Sequence, residues 1–233
     1  MKEYNYSFSV VSHNQIELVR KLLSTIENLV EDYEVILTNN TDQDITEFYG
    51  KRNLKIIQNT FAKGFGENHN YAFNYSSGKY FVIINPDIII TEWPSKENFH
   101  KGCLYTGLVF DPNGIKSDNI RGYPSIPNMI FRYMGYPRNF HSIWFAGMFL
   151  IIHYEDYLTL GGFDERFFMY LEDSDICLRA KRRNIKLIES NNIRLIHDSR
   201  RYSRKKIKYL YIHILSMLKF YLKYPEIIFR INP

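Results

Sequence analysis

The chain has 233 residues, 45% hydrophobic, 24% charged and 16% aromatic, enough for one large core and too much for a short peptide-like module or a disordered tail. Its formal charge of +5 is uneven. Residues 200–233 hold nine Lys/Arg and one Glu, a net of +8, so residues 1–199 carry −3; a slightly acidic body argues against a globally basic nucleic-acid binder.

Tyr6–Ser12 is a β-branched and aromatic run that predicts a buried strand. Ile16, Val19, Leu22, Leu23 and Ile26 then fall at helical spacing, with Asn14 at the N-cap. Strands are expected at Glu34–Thr38, Leu54–Gln58 and Tyr80–Ile84, and a short helix at Asn68–Ser76. Alternating strands and helices over the first 90 residues predict a parallel α/β sheet, whose ligands bind beyond the carboxyl ends of the strands. Prolines at 94, 112, 124, 127 and 137 break up residues 91–140, for which loops, a hairpin near Asp111–Gly114 and a mobile stretch around 116–140 are expected. A central strand over Trp144–Ile152, a helix from Asp173 or Ser174 to about Asn184, and short strands at Ile185–Ile188 and Arg194–His197 complete the body.

From about Ser203 to Tyr224, Ile207, Leu210, Tyr211, Ile214, Leu218, Tyr221 and Leu222 form one helical face, ended by Pro225. This basic amphipathic helix either meets an anionic membrane surface or packs back on the domain. The longest apolar run, Ile143–Ile152, falls short of the roughly 20 residues that span a bilayer. No secretory signal is expected, and two cysteines, Cys103 and Cys177, fit a reducing cytoplasmic setting.

Three constellations can carry chemistry. Asn85-Pro86-Asp87 follows a strand, where a carboxylate beside phosphate oxygens can hold Mg²⁺ or Mn²⁺; the same tripeptide also reads as an ordinary strand-ending turn. The segment Gly161–Arg179 interleaves acids with Phe163, Phe167, Phe168 and Tyr170. Within it Glu172 and Asp173 meet a helix N-terminus, as capping or catalytic groups, while Asp175 and Arg179 read as an i,i+4 ion pair. His197 ends the last strand, as a metal ligand or a plain surface or core residue.

The order of these pieces resembles glycosyltransferase family 2, and within it the rhamnosyltransferase-type branch. The resemblance covers about residues 6–200 and runs through VVSHN (10–14), the strand EVIL with its polar end (34–44), Asn59 with KGFGENHN (63–70), INPD (84–87), WFAGMFLI (144–151), GGFDERFFMYLEDSDICLR (161–179) and His197.

It implies a GT-A fold, a Rossmann-like α/β/α sandwich with a mixed, mainly parallel sheet, here plus a C-terminal amphipathic helix. Residues 1–90 would be the nucleotide-binding half, 91–200 the acceptor and catalytic half, and 201–233 the basic helix. It further implies an inverting transfer of a sugar from a nucleotide diphosphate sugar to an acceptor hydroxyl, on a glycan or a lipid-linked saccharide, in cell-surface polysaccharide assembly. Asp173, paired with Glu172, matches the general base. Asn85 and Asp87 match the donor-binding Asp-x-Asp motif, with Asp87 and His197 as ligands of Mg²⁺ or Mn²⁺. Ser12, Asn14, Asn39 and Asn40 match the nucleoside pocket, and Gly64 and Asn70 the loop beside ribose and phosphates. Trp144 and Gly147 fall on the acceptor side, Trp144 as sugar platform or core residue. Asn39 and Asn85 stand where the family often has acids, which loosens the expectation for the donor base and leaves the metal one charge fewer. The competing readings are a non-catalytic nucleotide-sugar-binding or scaffold protein on a degenerate transferase fold and, weakest, a nucleic-acid binder. The sequence leaves the oligomeric state open.

Overall fold

A computed structural model describes residues 3–95, 99–117, 119–122, 124–135, 144–197 and 207–229. Strands β1 (Tyr4–Ser12), β2 (Tyr33–Asn39), β3 (Leu54–Gln58) and β4 (Gly78–Ile84) alternate with helices α1 (Ile16–Leu29) and α2 (Phe65–Phe73), as the apolar periodicity predicts. They pair in parallel in the order β3-β2-β1-β4. The sheet continues to eight strands with β9 (Phe149–His153), β6 (Cys103–Phe110), β10 (Lys186–His197) and β5 (Ile88–Glu92), β4–β9, β9–β6 and β10–β5 pairing antiparallel. It is thus mixed and mainly parallel.

Alternation along β4 divides the core between two faces. Tyr80, Val82 and Ile84 join Val19, Leu22 and Ile26 of α1 in one cluster. Phe81 and Ile83 face the other, with Phe73 of α2, Tyr157 and Leu160 of α4 (Tyr154–Leu160), Ile176 and Cys177 of α5 (Glu172–Arg182) and Phe220 of α6 (Ile207–Lys223). The two cysteines are free and buried, Cys103 and Cys177 lying in different clusters.

Several expectations are corrected. Gln15, not Asn14, caps α1; Asn14 takes a left-handed φ of 60°. The stretch 91–140 holds β6, which is central, together with β7 (Ile120–Arg121) and α3 (Ile126–Tyr133), whose Pro127 sits in the first turn where its missing N–H costs nothing. Residues 96–98, 118, 123 and 136–140 of that stretch lie outside the described ones. β6 escapes a periodicity reading because Gly107 interrupts it. A Cβ there would come within 2.8 Å of Ile193, in the segment where the β10 register shifts between Ser190 and Arg194. That bulge also makes one strand of the two expected at 185–188 and 194–197. The hairpin at Asp111–Gly114 is present, the Gly114 N–H donating to the Asp111 carbonyl at 2.9 Å. The strand expected over 144–152 splits into β8 (Trp144–Phe145) and β9, with a turn at Ala146–Met148.

Helix α6 packs on the domain, but not through most of the apolar face read from the sequence. Phe220, with Tyr224 just beyond the helix, packs inward, whereas Leu210, Tyr211, Ile214, Leu218 and Leu222 are exposed. Residues 198–206 and the side chain of Ile207 lie outside the described set. Among the described residues no helix is long and apolar enough to cross a membrane.

Candidate active site

β4 ends at Ile84, and the Asn85 N–H donates to the Met148 carbonyl at 2.9 Å. Pro86 and Asp87 form a corner closed by the Ile88 N–H on the Asn85 carbonyl at 3.2 Å. β5 then runs antiparallel to the end of β10 with Ile88 opposite His197, which puts the His197 imidazole beside Asp87, Nε2 to Oδ2 3.1 Å. The other oxygen, Asp87 Oδ1, is buried without a hydrogen-bond partner among the described residues. A buried acceptor left unpaired is costly, and an orphan carboxylate oxygen beside an imidazole fits a divalent cation. Among the described residues no group of three or more His, Cys, Asp or Glu could hold an ion alone, so a cation at Asp87 and His197 would need substrate and water oxygens to complete its shell.

Asp87 opens onto a cavity of about 170 Å³ at the carboxyl ends of β1 and β4, lined by Val11, His13, Gln15, Asn40, Lys63, Phe65, Asn68, Asn85 and Pro86. His13, Gln15 and Lys63 are absent from the residues the sequence singled out. In VVSHN the turn after β1 brings His13 to the cavity, while Ser12 points inward, 1% exposed, its Oγ accepting from the Gln15 N–H at 3.4 Å. A strict alternation from the buried Val10 would have flagged His13.

The asparagines mostly hold one another. Asn39 donates to the Gln43 carbonyl and Gln58 Oε1 and accepts from Thr41, whose hydroxyl also reaches Asn14. Asn40 Oδ1 accepts from Asn59 Nδ2 and the Lys63 N–H, and Asn59 passes the chain on to Asn68. This network fixes the 59–64 loop, with Asn40 still bordering the cavity. Asn70 spends all four hydrogen-bonding sites on the acid loop: Phe163 N–H and carbonyl, Glu165 and Tyr157. Gly64 permits the same contact, since a Cβ there would lie 2.8 Å from the Phe168 carbonyl oxygen.

The acid loop begins at Gly162, whose φ of 67° and contact with Asn70 Oδ1 exclude a side chain. It ends at Tyr170 and Leu171, both left-handed with φ of 73° and 69°, a cost tolerated where surrounding structure fixes the backbone. They swing Glu172 and Asp173 into the first turn of α5. Asp173 Oδ2 accepts from the Gly147 N–H at 3.0 Å and Oδ1 from the Ser174 N–H at 2.7 Å. A Cβ on Gly147 would lie 3.3 Å from Asp173 Cβ. The Gly147–Met148 turn therefore ties the Glu-Asp pair directly to the Asn85-Pro86-Asp87 corner.

Burial raises the pKa of both acids. For Glu172 the rise is large, and its Oε2 has no partner among the described residues. For Asp173 the Gly147 N–H and the Arg121 guanidinium oppose burial and favour the carboxylate. Arg121 lies over the Trp144 ring at 5.1 Å, and Trp144, 6% exposed, donates through Nε1 to the Gly122 carbonyl at 2.5 Å. Burial and these partners favour packing over the sugar-platform reading of Trp144. Arg121 was not singled out, for want of any local pattern around it.

Asp175 and Arg179 form the expected ion pair at 2.7 Å. Asp175, wholly buried, also takes Lys223 Nζ at 2.5 Å and the Tyr224 hydroxyl at 2.7 Å, joining the end of α6 to α5.

Comparisons with known proteins agree with this architecture. The family model described as Glycosyl transferase family 2 matches residues 7–95. Rhamnosyltransferase WbbL of Escherichia coli (strain K12) is 26% identical over 91% of this chain and 90% of its own length. The low-salt glycan biosynthesis hexosyltransferase Agl10 of Haloferax volcanii is 22% identical over 82% of this chain and 66% of its own. Among solved structures, mannosyltransferase PcManGT from Pyrobaculum calidifontis, in complex with GDP-Man and Mn²⁺, superposes with a TM-score of 0.62 at 14% identity, over 99% of this chain and 66% of that one. The chain thus spans just under two thirds of the last two. Its sheet order and these likenesses give the chain the GT-A fold, with the match to the family 2 model running over residues 7–95.

Proposed function

We propose that the chain is an inverting, divalent-metal-dependent hexosyltransferase that moves a sugar from a nucleotide diphosphate sugar to an acceptor hydroxyl. The observation that carries the reading is the Gly147–Met148 turn, which holds Asp173 through one residue and Asn85 of the Asp87 corner through the next. One turn thereby holds the candidate proton acceptor and the candidate diphosphate corner.

The acceptor hydroxyl attacks the anomeric carbon as Asp173 takes its proton. A bond forms from the acceptor oxygen to that carbon, the bond to the diphosphate oxygen breaks, and its electron pair leaves with the nucleoside diphosphate. No protein nucleophile is needed, and the configuration inverts. A divalent cation bound at Asp87 and His197 supplies countercharge to the diphosphate. Lys63, His13 and Gln15 line the donor cavity, and Lys63, paired with Glu67 at 3.2 Å, adds positive charge there. The acceptor is a glycan or lipid-linked saccharide of cell-surface polysaccharide assembly. The setting is cytoplasmic, with the basic segment 201–233 at an anionic membrane surface; two free, buried thiols suit it.

Calorimetry with uridine, guanosine and thymidine diphosphate sugars, with and without Mn²⁺, tests the assignment. One donor should bind only with metal, and Asp87→Asn should weaken it about tenfold or more, in line with the loss of a charged ligand. Absence of binding by every donor would favour the degenerate scaffold instead.

A further inference from the structure

With Trp144 committed to packing, the sugar that bridges the diphosphate corner and the proton acceptor must rest on another surface. The distances single out Phe65, the first residue of α2. Its N–H donates to the Phe168 carbonyl at 2.9 Å, which ties the start of the helix to the acid loop. His69, one turn on, meets the Phe65 ring at 4.5 Å with the ring planes 65° apart, and Phe163 meets it at 5.7 Å and 75°. These edge-on contacts fix the ring from the protein side. Phe65 nonetheless stays only partly buried, because it lines the cavity that opens at Asp87.

Gly147 sets where the ring stands. A Cβ there would lie 3.3 Å from Phe65 Cε1, from Phe65 Cζ and from Asp173 Cβ, so ring tip and acid flank the same glycine with no side chain to separate them. The next residue, Met148, holds Asn85 of the Asp87 corner through its carbonyl. A sugar carried on a diphosphate at Asp87 and attacked by a hydroxyl at Asp173 must cross this turn, and the Phe65 ring is the flat apolar surface beside the crossing. The cavity holds about 170 Å³, smaller than the roughly 300–1,000 Å³ of pockets that enclose a whole small ligand. It therefore takes only part of a nucleotide sugar. Its lining sets Phe65 and Pro86 against the polar His13 and Gln15, which matches a pyranose with one C–H face and a rim of hydroxyls.

We propose that Phe65 is a specificity-determining residue of the donor site, its ring carrying the apolar C–H face of the transferred hexose over the Gly147 turn. The inference rests on the transferase reading and adds to it the surface that tells a nucleotide sugar from the nucleoside diphosphate left after transfer. Once the sugar has moved to the acceptor, the nucleoside diphosphate no longer touches the ring and keeps only its contacts at the Asp87 corner.

Calorimetry on the full chain with Mn²⁺ tests this, using uridine, guanosine and thymidine diphosphate sugars beside the matching nucleoside diphosphates. The ratio of the nucleoside diphosphate Kd to the nucleotide sugar Kd reads the sugar contact alone. Phe65→Leu keeps an apolar side chain but removes the flat face. The ratio should fall about three- to tenfold, with the nucleoside diphosphate Kd within about twofold of wild type. Phe163→Leu, which loosens the same packing from outside the cavity, should leave the ratio within about twofold. Circular dichroism and Tm check folding, and Phe65→Met, which refills the gap with an unbranched chain, replaces a leucine variant that does not fold. In the wild type with Mg²⁺ in place of Mn²⁺, saturation of aromatic protons should pass to the hexose C–H protons of the bound donor, a measurement that needs no variant. An unchanged ratio in a folded Phe65 variant overturns the proposal, as does equal weakening of nucleotide sugar and nucleoside diphosphate. So does an equal fall in Phe163→Leu, or no saturation reaching the hexose. Failure of the wild type to bind any of these nucleotides is distinct: it removes the transferase reading itself, and the proposal with it.

Discussion

Neutralising Glu172 and Asp173 in turn separates the two members of the acidic pair. Glu172 is 5% exposed, its Oε2 has no partner, and burial lifts its pKa well above the usual carboxylate range. Burial thus favours the protonated form of this carboxyl, so Glu172→Gln substitutes a neutral group of the same shape and should keep kcat within about threefold. Asp173 has two backbone N–H donors and Arg121 favouring its charge. Asp173→Asn leaves one acceptor for those two N–H groups and removes the base. The loss of general-base catalysis is about 10²–10⁴ in kcat, or roughly 2.7–5.5 kcal/mol of transition-state stabilisation, with donor affinity kept. Initial rates and donor calorimetry on both variants read this directly. Activity should fall with decreasing pH as Asp173 is protonated, at a pH above the ordinary Asp value of ~3.9 because burial raises it. Stability carries the opposite sign. A carboxyl whose folded pKa is raised contributes stability below its unfolded pKa and loses it as pH rises through the folded one. Glu172→Gln removes its share of that decline, so the Tm of the variant should fall less than wild type between about pH 4.3, the unfolded Glu value, and neutrality. Equal loss of turnover in the two variants, or superimposable Tm–pH curves for wild type and Glu172→Gln, would refute the division of roles.

Two other substitutions probe the supports of the site. Gly147→Ala places a methyl group 3.3 Å from Asp173 Cβ and the Phe65 ring. Since a 1 Å misplacement can cost about a hundredfold, a displacement of a few tenths of an ångström should lower kcat about three- to tenfold and leave donor affinity intact in steady-state and binding assays. Lys223→Met leaves the buried Asp175 with Arg179 and Tyr224 alone and Asp164 with Arg166. Lys223 is about a quarter exposed, so the cost should be near the lower end for a broken buried pair, about 2 kcal/mol, and thermal unfolding should report a Tm lower by about 4–8 °C.

Periodicity made the first half of the fold legible because β1, β2, β4 and α1 each bury one consistent set of residues. It failed where local pattern and tertiary contact part company. Gly107 in β6 answers to the bulge in β10, and Pro127 reads as a breaker although it stands in a helical first turn. In α6 the sequence offers two apolar faces, and only the docking of Phe220, Lys223 and Tyr224 onto the acid loop decides which one turns inward. The site shows the same limit. Asp87, His197 and Asp173 were readable from motif order, and the structure places Asp87 beside His197 and Asp173 on the adjoining turn. Asn39, Asn59, Asn68 and Asn70 have the composition of a ligand pocket, yet their amides are spent on one another and on the chain. Lys63 and Arg121 carry no local signature, because their placement depends on strands and loops far away in the chain.

The acids between Gly161 and Arg179 differ in fate according to what opposes their charge. Arg166 and Lys223 hold Asp164 far below the usual carboxylate range. Glu165 is tied to Asn70, and Asp175 is compensated by Arg179, Lys223 and Tyr224 inside the protein. Glu172 is buried with little to offset the loss of water, and burial favours its neutral form. Asp173 stands between these limits: burial raises its proton affinity, while the Gly147 N–H and Arg121 keep the carboxylate accessible. That intermediate state is what a general base at neutral pH requires, since a fully paired carboxylate is too weak a base and an isolated buried one is already protonated. The cations that compensate Asp164 and Asp175 come in part from Lys223 at the end of α6. Helix α6 thus takes part in neutralising two acids of this segment and leaves Asp173 to the Gly147 N–H and Arg121.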